Sequence, residues 1–169
     1  MPSAQGKAHV FPSGGRLAAI DFGTVRIGIA VCDPDWILAS PLEIWQSGSD
    51  EENEAYFRDL AKRERLAGLV VGLPIHNDGG ESEKSLLARE FARSVGMVTG
   101  LPVRLFDERF TTVAATQRLG AAGYTRKRKK ARLDAVAAQV ILESFLEACR
   151  YRGEIAGEPA VGDGEDLGS

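Results

Sequence analysis

Residues Leu17 to Ala30 read LAAIDFGTVRIGIA: an apolar run ending on one carboxylate, a Gly-Thr turn, then a second apolar run. Four apolar residues without polar alternation, Leu17 to Ile20, predict a strand buried on both faces. Gly23-Thr24 predicts a tight return into a second strand, which places Asp21 at the end of the first strand of a β-hairpin. A carboxylate there loses hydration and needs a compensating positive group. Where further carboxylates converge, a divalent metal is the usual compensation. Alone, Asp21 fits a structural turn acid equally well, so the rest of the chain decides its role.

The other signals outline one domain. The 169 residues suffice for a single core. We expect a flexible lead-in over 1–15, a folded body over 16–152 and a disordered, acidic tail over 153–169. No run of about 18 apolar residues occurs, so no membrane span is expected. Cys32 and Cys149 lack zinc-ligand spacing and read as reduced thiols of a cytoplasmic protein. The net charge of −3 is unevenly spread. Without the tail's five acids (Glu154, Glu158, Asp163, Glu165 and Asp166) the body carries +2. That body holds a dense run of Arg126, Lys127, Arg128, Lys129, Lys130 and Arg132. Such a run suits a polyanion, although a solvated loop explains it too.

Further along, Trp36 to Gln46 reads as a third, edge strand, because it contains Pro41. Asp50 to Leu66 reads as a helix capped by Asp50, with Phe57, Leu60 and Ala61 on its apolar face. Leu69 to Val71 is a short buried parallel strand, and Gly72 to Gly80 a loop. Ser82 to Thr99 is a second helix with a stripe of Leu86, Leu87, Phe91 and Val95. Val103 to Phe106 is the fifth strand. Thr111 or Thr112 caps a helix reaching about Leu119, and the basic run falls in the following loop. Leu133 to Tyr151 is the last helix, with Leu133, Ala137, Val140 and Ile141 toward the sheet. A meander followed by alternating helices and strands predicts a mixed five-stranded α/β sheet with helices on both faces.

Three acidic positions fall where such a sheet gathers ligands, at the carboxyl ends of its parallel strands. Asp21 ends the first strand, Asp107-Glu108 ends the fifth, and Asp134 lies near the start of the last helix. Neighbouring strand residues face opposite ways, so only one of Asp107 and Glu108 enters the site, and Glu108 is favoured. Asp134 alone also fits a helix-start acid stabilised by the macrodipole. Together the three suit two Mg²⁺ or Mn²⁺ ions roughly 3.5–4 Å apart, the arrangement that drives in-line phosphodiester hydrolysis. Hard oxygen ligands without a Cys/His cluster favour these ions over zinc. Arg26 and Arg109 sit beside two of the acids. Lys127, Lys129, Lys130 and Arg132 are candidates for holding a phosphate backbone.

Four segments carry a family likeness: Asp21 to Gly28 (DFGTVRIG), Val71 to Pro74 with Asp78-Gly79, Asp107 to Thr112 (DERFTT) and Leu133 to Ala138 (LDAVAA). In this order they resemble the YqgF family, over about Arg16 to Arg150. That resemblance implies an RNase H-like fold related to the RuvC resolvases. It implies a nuclease of the 5′ end of precursor 16S ribosomal RNA, or a resolvase of Holliday junctions. Asp21, Glu108 and Asp134 correspond to the family's acidic site. RNase H-like enzymes generally use four carboxylates; Asp107 becomes the fourth only if the strand twists there, and Thr111 and Thr112 are candidate extra site residues. A junction resolvase needs a homodimer to cut symmetrically, whereas an RNA cutter works as a monomer.

Two other classes compete. Asp-Phe-Gly-Thr also resembles the first phosphate loop of the actin and sugar-kinase ATPases. That fold needs a duplicated half, for which this chain is too short, and no Gly-x-x-x-x-Gly-Lys-Ser/Thr motif occurs. A non-catalytic RNA-binding factor in ribosome assembly would use the same basic run without any cleavage.

Overall fold

The computed structural model of the protein describes residues 10–76, 78–111 and 126–161, with the side chains of 126–134 excepted. An antiparallel meander of β1 (Leu17–Asp21), β2 (Arg26–Cys32) and β3 (Ala39–Gln46) comes first. Then follow α1 (Asp50–Arg63), β4 (Gly68–Leu73), α2 (Glu83–Thr99), β5 (Val103–Asp107), a 3₁₀ turn (Glu108–Phe110), α3 (Arg126–Arg152) and a two-residue β6 (Glu158–Pro159). The sheet runs β3-β2-β1-β4-β5-β6, with β4 parallel to both β1 and β5.

Side-chain alternation divides the sheet into two buried faces. Ala18, Ile20, Ile27, Ile29, Leu69 and Val71 pack with Phe57 and Leu60 of α1 and Ala88, Ala92 and Val95 of α2. Leu17, Ala19, Ala30, Val70 and Phe106 pack with Ala138, Ile141, Leu142, Phe145 and Leu146 of α3. Phe145, fully buried, lies edge-on to Phe106 and Phe11, with ring centroids 5.9 and 5.8 Å away. Its truncation to alanine should cost about 3–5 kcal/mol of stability.

Several local expectations are corrected. The sheet has six strands rather than five, and the sixth lies in the segment read as a disordered tail. Composition suggested disorder there, but Arg104 donates to the carbonyl oxygens of Ile155, Ala156 and Gly157 and pins this backbone beside β5. Phe11 of the expected flexible lead-in packs on the α3 face of the core. Helix α1 is capped by Ser49, not Asp50, because Ser49 and Glu52 close a reciprocal capping box. The third strand begins at Ala39, and its Pro41 sits on the edge strand next to a register shift between Ile29 and Ala30. Gly72 belongs to β4, not to the loop after it.

Helix α2 buries Ser85, Ala88, Ala92 and Val95, while Leu86 and Leu87 remain 59% and 36% exposed. Small residues let α2 sit close to the sheet and turn the two leucines outward. In α3 the core face is Ala135, Ala138, Ile141, Leu142, Phe145 and Leu146, set by the fit of Phe145, with Ala137 and Val140 only partly covered. The basic run lies in the first two turns of α3 rather than in a loop. The helix expected up to Leu119 lies outside the described residues, as does Thr112.

Candidate active site

The carboxyl edge of β1, β4 and β5 is where the chain brings acids together. Leu17 and Ala19 face α3, so Asp21 continues that series at the last position of β1. Val70 and Phe106 face the same way, so Gly72 extends the series of β4, and Glu108, which opens the 3₁₀ turn after β5, reaches the same space with its carboxylate. Pairing of Ile20 with Val71 and of Gly72 with Phe106 aligns the three strand ends. Asp107 falls on the other parity.

Gly72 makes this edge work. A Cβ built there would lie 2.5 Å from Ile141 Cδ1 and 2.9 Å from Glu108 Oε1. The missing side chain therefore leaves the space into which α3 packs and the Glu108 carboxylate folds. The turn at the end of β1 has a similar requirement, since a Cβ on Gly23 would lie 2.4 Å from the Arg26 carbonyl oxygen.

Asp21 and Glu108 line one cleft of about 330 Å³ together with Thr24, Gly72, Pro74 and Lys84. Burial first, then the charges of Asp21 and Asp107, push the Glu108 carboxyl up to about 7, while the Lys84 ammonium acts in the opposite direction. The Thr111 hydroxyl donates to the Glu108 carbonyl oxygen at 2.9 Å and braces the turn that carries this residue.

Asp107 serves a different purpose. Its Oδ1 accepts from the Arg109 backbone amide at 2.9 Å, and its Oδ2 accepts from Arg109 Nη2 at 2.7 Å. Burial works against its charge, but these bonds hold the carboxyl below the ordinary aspartate range. Asp107 caps the 3₁₀ turn and orients Arg109, whose guanidinium also stands 6.0 Å from the Phe110 ring centroid.

The remaining candidates are less closely placed. Arg26 starts β2 on the exposed side of the hairpin turn. Position 134 lies on α3 two turns before Ile141, the residue that touches the Gly72 space. Its side chain, like those of Lys127, Lys129, Lys130 and Arg132, lies outside the described set. Among the described side chains no three metal-ligating groups gather.

Two residues of the site were missed in the sequence. Gly72 had a signal, as a glycine inside an apolar strand marks a close approach. Lys84 had a weaker one: a cation in the first turn of a helix opposes the macrodipole and calls for another reason to be there.

The fold and the acid-lined strand edge define a class: a mixed RNase H-like sheet of the RuvC type. Thermus thermophilus RuvC, solved in complex with a Holliday junction substrate, superposes with a TM-score of 0.53 at 15% identity, over 86% of this chain and 99% of that one. The sequence then specifies the family. Residues 15–148 match the RuvX family, described as Holliday junction resolvase, and the chain belongs to this family, the YqgF family of the sequence reading. A Rhodopirellula baltica protein named "Putative pre-16S rRNA nuclease" is 65% identical over 147 residues, 87% of this chain and 85% of its own length. A Sphingopyxis alaskensis protein of the same name is 38% identical over 83% of this chain and 92% of its own. No helix among the described residues is long and apolar enough to cross a membrane.

Proposed function

We propose that this chain is a metal-dependent endonuclease that hydrolyses phosphodiester bonds, acting in the cytoplasm on the 5′ region of precursor 16S ribosomal RNA. The observation that carries the reading is the convergence of Asp21 and Glu108 over the bare backbone of Gly72. Two carboxylates in a half-buried cleft, one of them pushed up to about 7, form a hard-oxygen site that a divalent cation would relieve. Asp21, Glu108 and Asp134 would hold Mg²⁺ or Mn²⁺. A bound ion supplies Lewis-acid stabilisation of the phosphate's developing charge. The Asp107–Arg109 pair keeps Glu108 at the cleft by fixing the turn around it, with Thr111 bracing the same turn. Arg26, Arg109 and the basic first turns of α3 would hold the backbone of the polyanion.

Branched DNA is the second substrate, favoured by the family's description and by the likeness to a junction-bound resolvase. The test is a parallel cleavage assay. Wild type and Asp21→Asn receive a precursor ribosomal RNA 5′ fragment and a four-way DNA junction, with Mn²⁺, Mg²⁺ or EDTA. Metal-dependent cutting of RNA alone, lost in the variant, supports the processing nuclease. Paired symmetric nicks in the junction support a dimeric resolvase. Binding without any cutting rejects the enzyme in favour of a non-catalytic assembly factor.

A further inference from the structure

A second cleft shares Glu108 with the first. Its volume is about 340 Å³, and its walls include His76, Ser82, Lys84, Glu108 and Arg109. Three of these five carry a nitrogen base or cation. Pro74, Lys84 and Glu108 belong to both clefts, so the two meet along these three residues. Asp21 lines the first cleft and not the second. The two chambers thus differ in charge: one holds the paired acids, the other is rich in donors.

Local structure explains why these donors face one space. Ser82 caps α2 and closes a box with Ser85, which fixes the first turn on which Lys84 stands. The chain around His76 is folded back by Gly79 N–H donating to the His76 carbonyl at 2.8 Å, with Gly79 at φ +86°. Arg109 is oriented by Asp107 and keeps 33% of its side chain exposed. Lys84 enters no ion pair among the described residues, and its ammonium acts on Glu108 through space. The 17-residue α2 adds the positive end of its dipole to the same wall.

The geometry points to a second phosphate subsite, lined by His76, Ser82, Lys84 and Arg109, that holds the linkage next to the one placed between Asp21 and Glu108. The inference rests on the nuclease reading and adds the direction in which the strand runs: past Lys84 and over Glu108, toward the start of α2. Lys84 bridges the two chambers and supplies most of the attraction, because the charge of Arg109 is shared with Asp107. A phosphodiester is the fitting ligand. It is anionic, presents two oxygens to separate donors, and recurs at each step of a nucleic-acid strand.

The test uses a fluorescein-labelled single-stranded RNA in which one neutral methylphosphonate linkage is moved along the strand. Affinity is measured by anisotropy in EDTA, and cleavage separately in Mn²⁺. For the unmodified strand, Lys84→Gln should bind about tenfold more weakly, its salt slope should fall by about one, and Lys84→Arg should restore both. At one linkage position the methylphosphonate should cost wild type a similar factor and cost Lys84→Gln nothing more. Losses that add at every position, or an unchanged slope in Lys84→Gln, overturn the subsite and leave Lys84 as a local counter-charge to Glu108. Coupling between Lys84 and one linkage without any cleavage in Mn²⁺ keeps the subsite and rejects the nuclease reading instead.

Discussion

Two glutamates near the start of α2 meet opposite fates. Glu81 accepts from Arg89 Nε at 2.9 Å and faces the Ser85 hydroxyl at 2.5 Å, and Arg89 reaches across to Glu158 of β6 at 3.1 Å. Bonds from Arg89 and then Ser85 hold the Glu81 carboxyl below its ordinary value. Glu108 instead turns over Gly72 toward Asp21 and is pushed up to about 7. Where two carboxylates serve only to tie the C-terminal segment to α2, an arginine stands between them. At the strand edge two carboxylates face one cleft and a lysine stands at its rim. The two pairs thus sit in different surroundings, one at the surface around an arginine and one in a cleft where burial and neighbouring acids push Glu108 up.

The largest effect that sharpens this contrast comes from Asp21→Asn. It should lower cleavage at least about a hundredfold, with nucleic-acid affinity within about twofold in an anisotropy titration. Gly72→Ala comes next. Its methyl would meet Ile141 and Glu108, so denaturant melts should show about 1–3 kcal/mol of destabilisation, with cleavage reduced further through the displaced carboxylate. The smallest effect is Glu158→Gln, because Glu158 is half exposed and the bridge is at the surface. It should change stability by no more than about 1 kcal/mol and leave cleavage alone. A large loss of activity in Glu158→Gln would break the comparison by making the tie part of the site.

The pH dependence of stability separates the two glutamates by sign. Glu108 has its folded-state pKa raised from 4.5 to about 7. Its stabilising contribution is therefore full below about 4.5 and fades as pH rises through about 7 in metal-free buffer. Glu81 is lowered from 4.5, so its contribution is present above that value and is lost as the solution is acidified. Thermal melts in EDTA from about pH 2.5 to pH 8 should show the neutral-side decline vanish in Glu108→Gln. In Glu81→Gln the acid-side loss should shrink instead. Identical profiles in the two variants would remove the physical distinction between the pairs.

Much of this architecture is legible in the residues. The uninterrupted run Leu17 to Ile20 gives a central strand, and the meander followed by alternating elements gives the mixed sheet. Alternation also favours Glu108 over Asp107: residues 17, 19 and 21 share a face, and Phe106, two residues before Glu108, packs on α3. Other features leave no such trace. The register of α2 follows from how closely Ala88 and Ala92 approach the sheet, while hydrophobicity alone points to Leu86 and Leu87. The sixth strand is held by one arginine bonding three backbone carbonyls, a tertiary contact without a sequence pattern, and Gly157 at φ +74°, where a Cβ would lie 2.4 Å from the Leu105 carbonyl oxygen, is its one local requirement. The second cleft needs tertiary structure, because His76, Lys84 and Arg109 come together only when the β4–α2 connection folds against the turn after β5.

The most direct measurement is a calorimetric titration of Mn²⁺ into the nucleic-acid-free protein, in two buffers of different ionisation heat, near pH 6.5. A carboxyl that titrates near 7 is largely protonated there and must lose its proton to bind a cation. The account predicts that wild type binds Mn²⁺ and releases a fraction of a proton per site. Asp21→Asn and Glu108→Gln should each weaken binding at least about tenfold, and Glu108→Gln should abolish the proton release. Unchanged Mn²⁺ affinity in both variants would contradict the claim that Asp21 and Glu108 form the cation site.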